Sequence, residues 1–484
     1  MYDVIERAEH ETKGLDEWKR MVSLKHDAMH IGSRIKCNPH TMEVVGFAND
    51  SFDFNVLAKE CDALNGTDED EEEQKLKHAK LYLVFMISNW EKDMKQMKRV
   101  VARYSLGSGI SSNFLVREIK KIIVALARHG LIVINVVGDA AAENRSAMKS
   151  LGTLSIKDVL ECHLSDNLRR LLPMDMKIAF PHPIRSDILI FIGGDMPHLV
   201  KKFVNALERS GEKDSTNLFF ENNYMSLKML ENVWKKSAGS GMGSIRTNNL
   251  THEHFHKNAY SRMRVHLAVQ VVSQSMIRLI DKHASECGGI EKYQSLKKII
   301  TSIDRLVDIC NNTAMNNQKE FKGCEMINDP NHYHLTELLD ILETFATWKE
   351  ETANEKTFFI PWQSYEDLIW LVIGIVGISK TYLKEDNSRT MIQRNGGTDD
   401  CENEFSGTRQ RNNKPSSFDC NQITSRRTGV RAHSFTKKAK NNTSGDTELW
   451  TDELIGKMEK KATKRKRKEK EEKQFEIRQR NKKK

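Results

Sequence analysis

The run LIVINVV, Leu131 to Val137, constrains this chain more than any other stretch. It is almost wholly apolar and β-branched, Gly138-Asp139 stops it, and small residues then open a helical pattern. A strand that apolar is covered on both faces, the situation found in parallel and mixed α/β sheets. The carboxyl-terminal tip of such a strand is where those sheets keep their chemistry. Asp139 stands at that tip, and the residues alone leave two readings: a cap on the following helix or a functional carboxylate.

The surrounding pattern supplies the rest of a sheet. The first 20 residues have helical spacing and lead into MVSLKHDAMHIGSRI, a predicted strand carrying Asp27. EVVGFA (Glu43 to Ala48) and LYLVFMISNW (Leu81 to Trp90) read as two further strands, and VVARYSLG as an edge piece. Ser112 to His129 repeats apolar residues at helical spacing, with Ser111 or Ser112 as cap and Gly130 as stop. After the strand to Asp139 come a strand at Ile188 to Ile192, a turn holding Asp195, and a helix beginning near Pro197. This order of elements matches a ribonuclease-H-like α/β fold. From about Leu218 to Leu383 the pattern is mainly helical, which predicts a separate module inserted into a mixed sheet. The longest apolar run, LIWLVIGIVGI from Leu368 to Ile378, is shorter than the roughly 18 residues of a membrane span, so it reads as core and no membrane partner is expected.

Charge separates the end of the chain from its body. The net charge is +9, yet Lys457 to Lys484 holds 15 Lys or Arg against 5 Glu, a local balance of +10. The other residues are therefore close to neutral, and the basicity is a tail too poor in apolar residues to build a core. KKATKRKRKEK (Lys460 to Lys470) fits a nuclear import signal or a phosphate-contacting arm, with a solvated charged helix as the plain alternative. The acidic run Asp68 to Glu73 reads as a solvated loop. Eight cysteines lie singly without a CxxC pair, so reduced thiols in an intracellular protein are expected rather than disulfides or a zinc finger.

Several segments, in order from about Met21 to Pro415, carry a family resemblance. SLKHDAMHI, LYLVFMISNW, INVVGDAAAENRSAMKSLG with Asn144, GGDMPHLVKKFVNAL, LTHEHFHKNAYSRMRVHLAVQVVSQS and TDDCENEFSGTRQRN resemble the motifs of the P-element (THAP-domain) DNA transposases. The resemblance implies three acidic metal ligands, Asp27, Asp139 and Glu402, around two Mg²⁺ ions. Such ions, roughly 4 Å apart, need oxygen ligands from several elements to activate an attacking oxygen and stabilise a leaving one. It further implies that the helical module is a GTP-binding insertion domain without a P-loop, and indeed no GxxxxGK[ST] occurs. SAGSGMGS (Ser237 to Ser244) follows a helix-like stretch rather than a strand and reads as a linker. Within RLVDICNN, Asp308 and Asn311 resemble the guanine-reading pair; Lys201 would offer a cation to phosphates and Asp399 would help hold the associated Mg²⁺. His254 falls at a histidine of the family motif, so HEHFH is read as structural rather than metal-binding.

The expected organisation is a ribonuclease-H-like domain over 1–195, a helical GTP-binding insertion over 196–390, the closing part of the first domain with the third acid over 391–430, and a disordered basic tail over 431–484. The expected function is Mg²⁺-dependent cleavage and strand transfer of transposon-end and target DNA, in the nucleus, by a homo-oligomer with GTP as an architectural cofactor. The alternative is a domesticated or truncated nuclear protein that binds DNA and GTP without catalysis, and a third reading is a scaffold whose tail carries all nucleic-acid affinity. Departures from the family pattern bear on the choice: the amino-terminal THAP finger is expected to be lacking, Lys25-His26 stand where apolar residues are usual, Ala28 follows the first Asp, and Ser406-Gly407 alters the step after Glu402.

Overall fold

The computed structural model describes residues 2–31, 36–37, 44–45, 79–90, 97–107, 109–211, 217–239, 250–258, 261–312, 325–383 and 389–410. The acidic run, most of Ser237 to Ser244 and the basic tail lie outside them. At the centre is a seven-stranded sheet. Its strands are β1 (Met21–His30), β2 (Leu81–Asn89), β3 (Lys98–Leu106), β4 (Ile132–Gly138), β5 (Leu154–Ser155), β6 (Lys177–Pro181) and β7 (Leu189–Gly193), in spatial order β3-β2-β1-β4-β7-β6-β5. The inner strands β1, β4 and β7 run parallel, and the others pair antiparallel, so the sheet is mixed.

All seven residues of β4 are buried, as its unbroken apolar run requires. Its connections place α1 (Tyr2–Thr12), α2 (Ser112–Arg128) and α3 (Ala142–Leu151) around the sheet. Ser111 caps α2 by accepting from the amide of Phe114 at 3.2 Å, and Gly130, with φ of 75°, ends it. Two expectations are corrected here. Within Glu43 to Ala48, only Val44–Val45 is described, and among the described residues it pairs with Lys36–Cys37 in a two-residue ladder outside the main sheet. The sheet's third strand is instead β3, which forms the edge expected of VVARYSLG and is longer than that piece.

The helical region follows as α4 (Met196–Arg209), α5 (Leu227–Gly239), α6 (Val265–Val271), α7 (Gln274–His283), α8 (Ile290–Cys310), α9 (Tyr333–Glu351) and α10 (Trp362–Tyr382). The apolar run Leu368 to Ile378 is the centre of α10, and it is buried on every side. No described helix is long and apolar enough to cross a membrane. Helix α10 closes onto β7 through glycines. A Cβ at Gly374 would stand 2.9 Å from the carbonyl oxygen of Ile192, and one at Gly377 would overlap the ring of Phe191. Gly377→Ala is therefore expected to lower stability by about 1–3 kcal/mol, the usual cost of overpacking a closed interface. Urea unfolding with an unchanged midpoint would mean that α10 and β7 are not in this contact.

The chain ends its described part with α11 (Asp399–Gln410), which lies on β1 and β2. Cys401 and Phe405 of α11 pack with Met29, Tyr82, Val84 and Met86 in a small core of their own. An element that begins only at Asp399 is thereby brought onto the strand, Met21–His30, that carries Asp27.

Candidate active site

Strand register brings the first two acids together. The last parallel pair between β1 and β4 is His26 with Gly138, so Asp27 and Asp139 are the next residues on each chain. Asp27 is 9% exposed, and its Oδ1 accepts from the amide of Ala28 at 2.7 Å. Burial and the neighbouring charge of Asp139, with a smaller push from Glu402, raise its carboxyl to about 7, against the pull of the Ala28 amide and His198. The shift is chiefly the cost of burying a charge, to which the nearby carboxylate of Asp139 adds.

Asp139 is half-buried, and its Oδ1 accepts from the amide of Ala141 at 3.2 Å and from Nδ2 of Asn144. It is not the helix cap; Ala141 occupies that position. His26 lies under the same loop, fully buried, stacked on Phe85 at 5.5 Å, with Nε2 3.3 Å from Oδ1 of Asn144. Burial pushes this imidazole down to about 4 despite Asp139 and Asn144. A neutral ring with its proton on Nε2 completes a chain of donors from His26 through Asn144 to Asp139. Gly138 is required by the same packing, because a Cβ there would come within 2.5 Å of His26 Nε2.

The third acid sits on α11. Glu402 is exposed at the surface, yet the protein around its carboxyl raises it, with Asp195 and Asp399 adding to the rise and His198 and Lys201 opposing it. Near Glu402 is a pair, Asp195 and His198, that the sequence marked only as part of the GGDMPHL segment and not as a site. Asp195, 4% exposed at the end of β7, meets His198 Nδ1 at 2.5 Å, and its Oδ1 accepts from the amide of Thr398 at 3.0 Å and its hydroxyl at 2.8 Å. Burial works against the charge of Asp195, but His198 and Thr398 hold the carboxyl below its usual range. Burial also opposes the charge on His198, and Asp195 overrides it and raises the imidazole. The available signal was the Asp-x-x-His spacing across the start of α4, which puts both side chains on one turn.

Asp27, Asp139 and Glu402 are hard oxygen donors on three separate elements, a donor set that suits a divalent cation such as Mg²⁺. Among the described residues, no three His, Cys, Asp or Glu side chains meet closely enough around one point to hold an ion.

The four residues expected at a nucleotide are divided. Asn311 and Asp399 line one cavity, together with Trp90, Asn135, Arg394 and Gly396. Asp399 bonds Arg394 at 2.8 Å, and burial raises its carboxyl. Asp308 is not among the lining residues; half-buried on α8, it is raised by burial and lowered by Arg305. Lys201, half-buried on α4, lies within the field of His198 and Glu402 rather than at the cavity. His254 is buried with Nε2 2.7 Å from Oε1 of Gln270, a structural bond between two parts of the insertion.

A ribonuclease-H-like mixed sheet followed by a helical insertion and a late helix that returns to β1 and β2 defines the class. Residues 2–152 match the family model described as TNP-like, RNase H N-terminal domain, and residues 197–324 match TNP-like, GTP-binding insertion domain. Together the two matches span more than half of the chain, which belongs to the P-element-like transposases. Among solved structures, the Drosophila P element transposase strand transfer complex is similar in fold, with a TM-score of 0.65 and 17% identity over 89% of this chain and 81% of that one. A comparison with curated proteins finds no match.

Proposed function

We propose that this chain is a DNA transposase that cleaves transposon-end DNA and joins it to target DNA with Mg²⁺, using GTP as an architectural cofactor. The observation that carries the reading is the register of two adjacent parallel strands, which brings Asp27 and Asp139 to neighbouring positions at their ends, with α11, the helix of Glu402, packed on the strand of Asp27. Those three residues would hold the cations, and His26 and Asn144 fix the orientation of Asp139. Bound Mg²⁺ would supply activation of the attacking oxygen and stabilisation of the leaving one. Asn311, just after α8, and Asp399 of α11 are the proposed nucleotide contacts at their shared cavity; Asp308 and Lys201, which do not line it, are left out of the contact set. DNA-bound homo-oligomers in the nucleus, with the basic tail contacting phosphates, complete the reading.

The test is nicking of pre-cut transposon-end DNA by the full chain with Mg²⁺ or Mn²⁺, read alongside thermal unfolding with GTP and with ATP. Metal-dependent nicking and a stabilisation by GTP that ATP does not reproduce are expected. Salt-sensitive DNA binding and GTP stabilisation without nicking would replace the proposal by a catalytically silent binder.

A further inference from the structure

Lys25 breaks the apolar pattern of the first strand, and the fold gives it a partner 375 residues away. Its side chain is fully buried and bonds Oδ2 of Asp400 on α11. Lys98 of β3 approaches Oδ1 of the same carboxylate at 3.0 Å. Asp400 is 7% exposed; burial opposes its charge, but the two ammonium groups hold it strongly ionised.

The place of this cluster matters more than its strength. Side chains alternate along a strand, so Lys25 and Asp27 share one face of β1, and Asp400 lies two residues before Glu402 on the helix covering that face. Thr398, bonded to Asp195, holds the chain just ahead of α11, and Asp400 holds its first turn. A helix of 12 residues is marginal by itself, so its pose depends on such tertiary contacts. Cys401 and Phe405 supply non-directional apolar packing, and Arg103 meets Glu404 at 3.0 Å at a partly exposed site. The directional constraint on the first turn from β1 is Lys25.

We propose that Lys25 is a positioning residue: its buried ion pair with Asp400 fixes the turn of α11 that presents Glu402 to Asp27 and Asp139. The role of the pair in metal binding rests on the reading of those three acids as ligands; the anchoring of α11 does not. Lys25 itself touches neither metal nor DNA in this role. A buried ammonium two residues from Asp27 would otherwise oppose a cation there, and its neutralisation by Asp400 makes it compatible with the acids.

The experiment uses the full chain, without DNA, and compares the parent with Lys25→Met, Lys25→Met/Asp400→Asn and Asp139→Asn. Amide hydrogen exchange across 401–406 and across 132–137 is followed without metal, and MnCl₂ binding is measured by calorimetry. Lys25→Met should speed exchange in α11 by about tenfold or more while leaving β4 protected, a local rather than global opening. It should also weaken Mn²⁺ binding by about tenfold, as loss of one well-placed ligand would. The double variant removes both charges at similar volume, so it guards against simple misfolding of the single one; α11 should remain loosened in it.

Parent-like exchange in α11 of both Lys25 variants overturns the proposal, as does equal acceleration in α11 and β4 of the double variant. Loosened α11 with Mn²⁺ binding unaltered in the Lys25 variants overturns the positioning of a metal ligand. If Asp139→Asn also leaves Mn²⁺ binding unaltered, the metal reading itself fails while the anchor stands. If Asp139→Asn abolishes binding and Lys25→Met changes nothing, the metal reading stands and the anchor fails.

Discussion

Asp139→Asn is expected to abolish metal-dependent nicking of transposon-end DNA, by at least about a thousandfold, while leaving the fold intact. The substitution keeps a carbonyl oxygen where Oδ1 accepts from Ala141 and Asn144, so the loop after β4 retains its acceptor. What disappears is a full negative charge next to Asp27. A cation held by hard anionic oxygens loses both a charge and a ligand. Thermal unfolding should show no loss of stability, because Asp139 is half-buried at a strand tip, and without divalent cations the removal of its repulsion with Asp27 favours the variant. A variant that nicks at the parental rate removes Asp139 from the chemistry, and the family relationship would then describe a fold without this mechanism.

The same residue illustrates what was legible beforehand. A continuous β-branched run ended by Gly-Asp can hardly be anything but a central strand, and β4 is buried throughout. Helix α2 was readable from local signals at both ends, a serine that caps and a glycine able to take positive φ. The mixed sheet and the helical insertion followed from the order of such segments. Each of these is encoded within some 20 residues.

What escaped is long-range. Glu43 to Ala48 has strand composition, but whether a short apolar segment joins a sheet depends on the edge available to it, which composition does not carry; Val44–Val45 pairs with Lys36–Cys37 instead. Lys25 and His26 looked like defects in an apolar strand. Lys25 has its counter-ion on α11, and His26 has Asn144 on α3, so each departure is satisfied by a residue that no local pattern could nominate. Asp195 was legible as a turn residue, while its bonds to His198 and Thr398 depend on the return of the chain after the insertion. The three acids were nominated through resemblance, and the charge of Asp139 beside buried Asp27 is visible only in the fold.

That buried carboxyl gives the second large effect. In the absence of divalent cations, Asp27→Asn is expected to stabilise the protein, and the gain should depend on pH. The folded carboxyl sits at about 7 because of burial first and Asp139 next, whereas an unfolded chain places it near 3.9. Below about pH 4 the group is protonated in both states and contributes no difference. As pH rises from 4 through 7 the unfolded chain ionises first, so the stability that the neutral carboxyl allowed is progressively lost; above 7 the loss is complete. Asparagine stays neutral throughout and keeps an Oδ1 for the amide of Ala28. The difference between variant and parent should therefore grow from near zero at pH 4 to a ceiling of about 4 kcal/mol at pH 8, following the interval of about three between the two values. Urea unfolding in EDTA at the two pH values measures it. Saturating Mg²⁺ should cancel the gain by stabilising the parent's charged form, since a ligand that binds only the folded chain shifts unfolding by mass action. A variant less stable than the parent at pH 8 in EDTA would mean that Asp27 is not held in a buried field of like charge, and the three-acid arrangement would lose its physical basis.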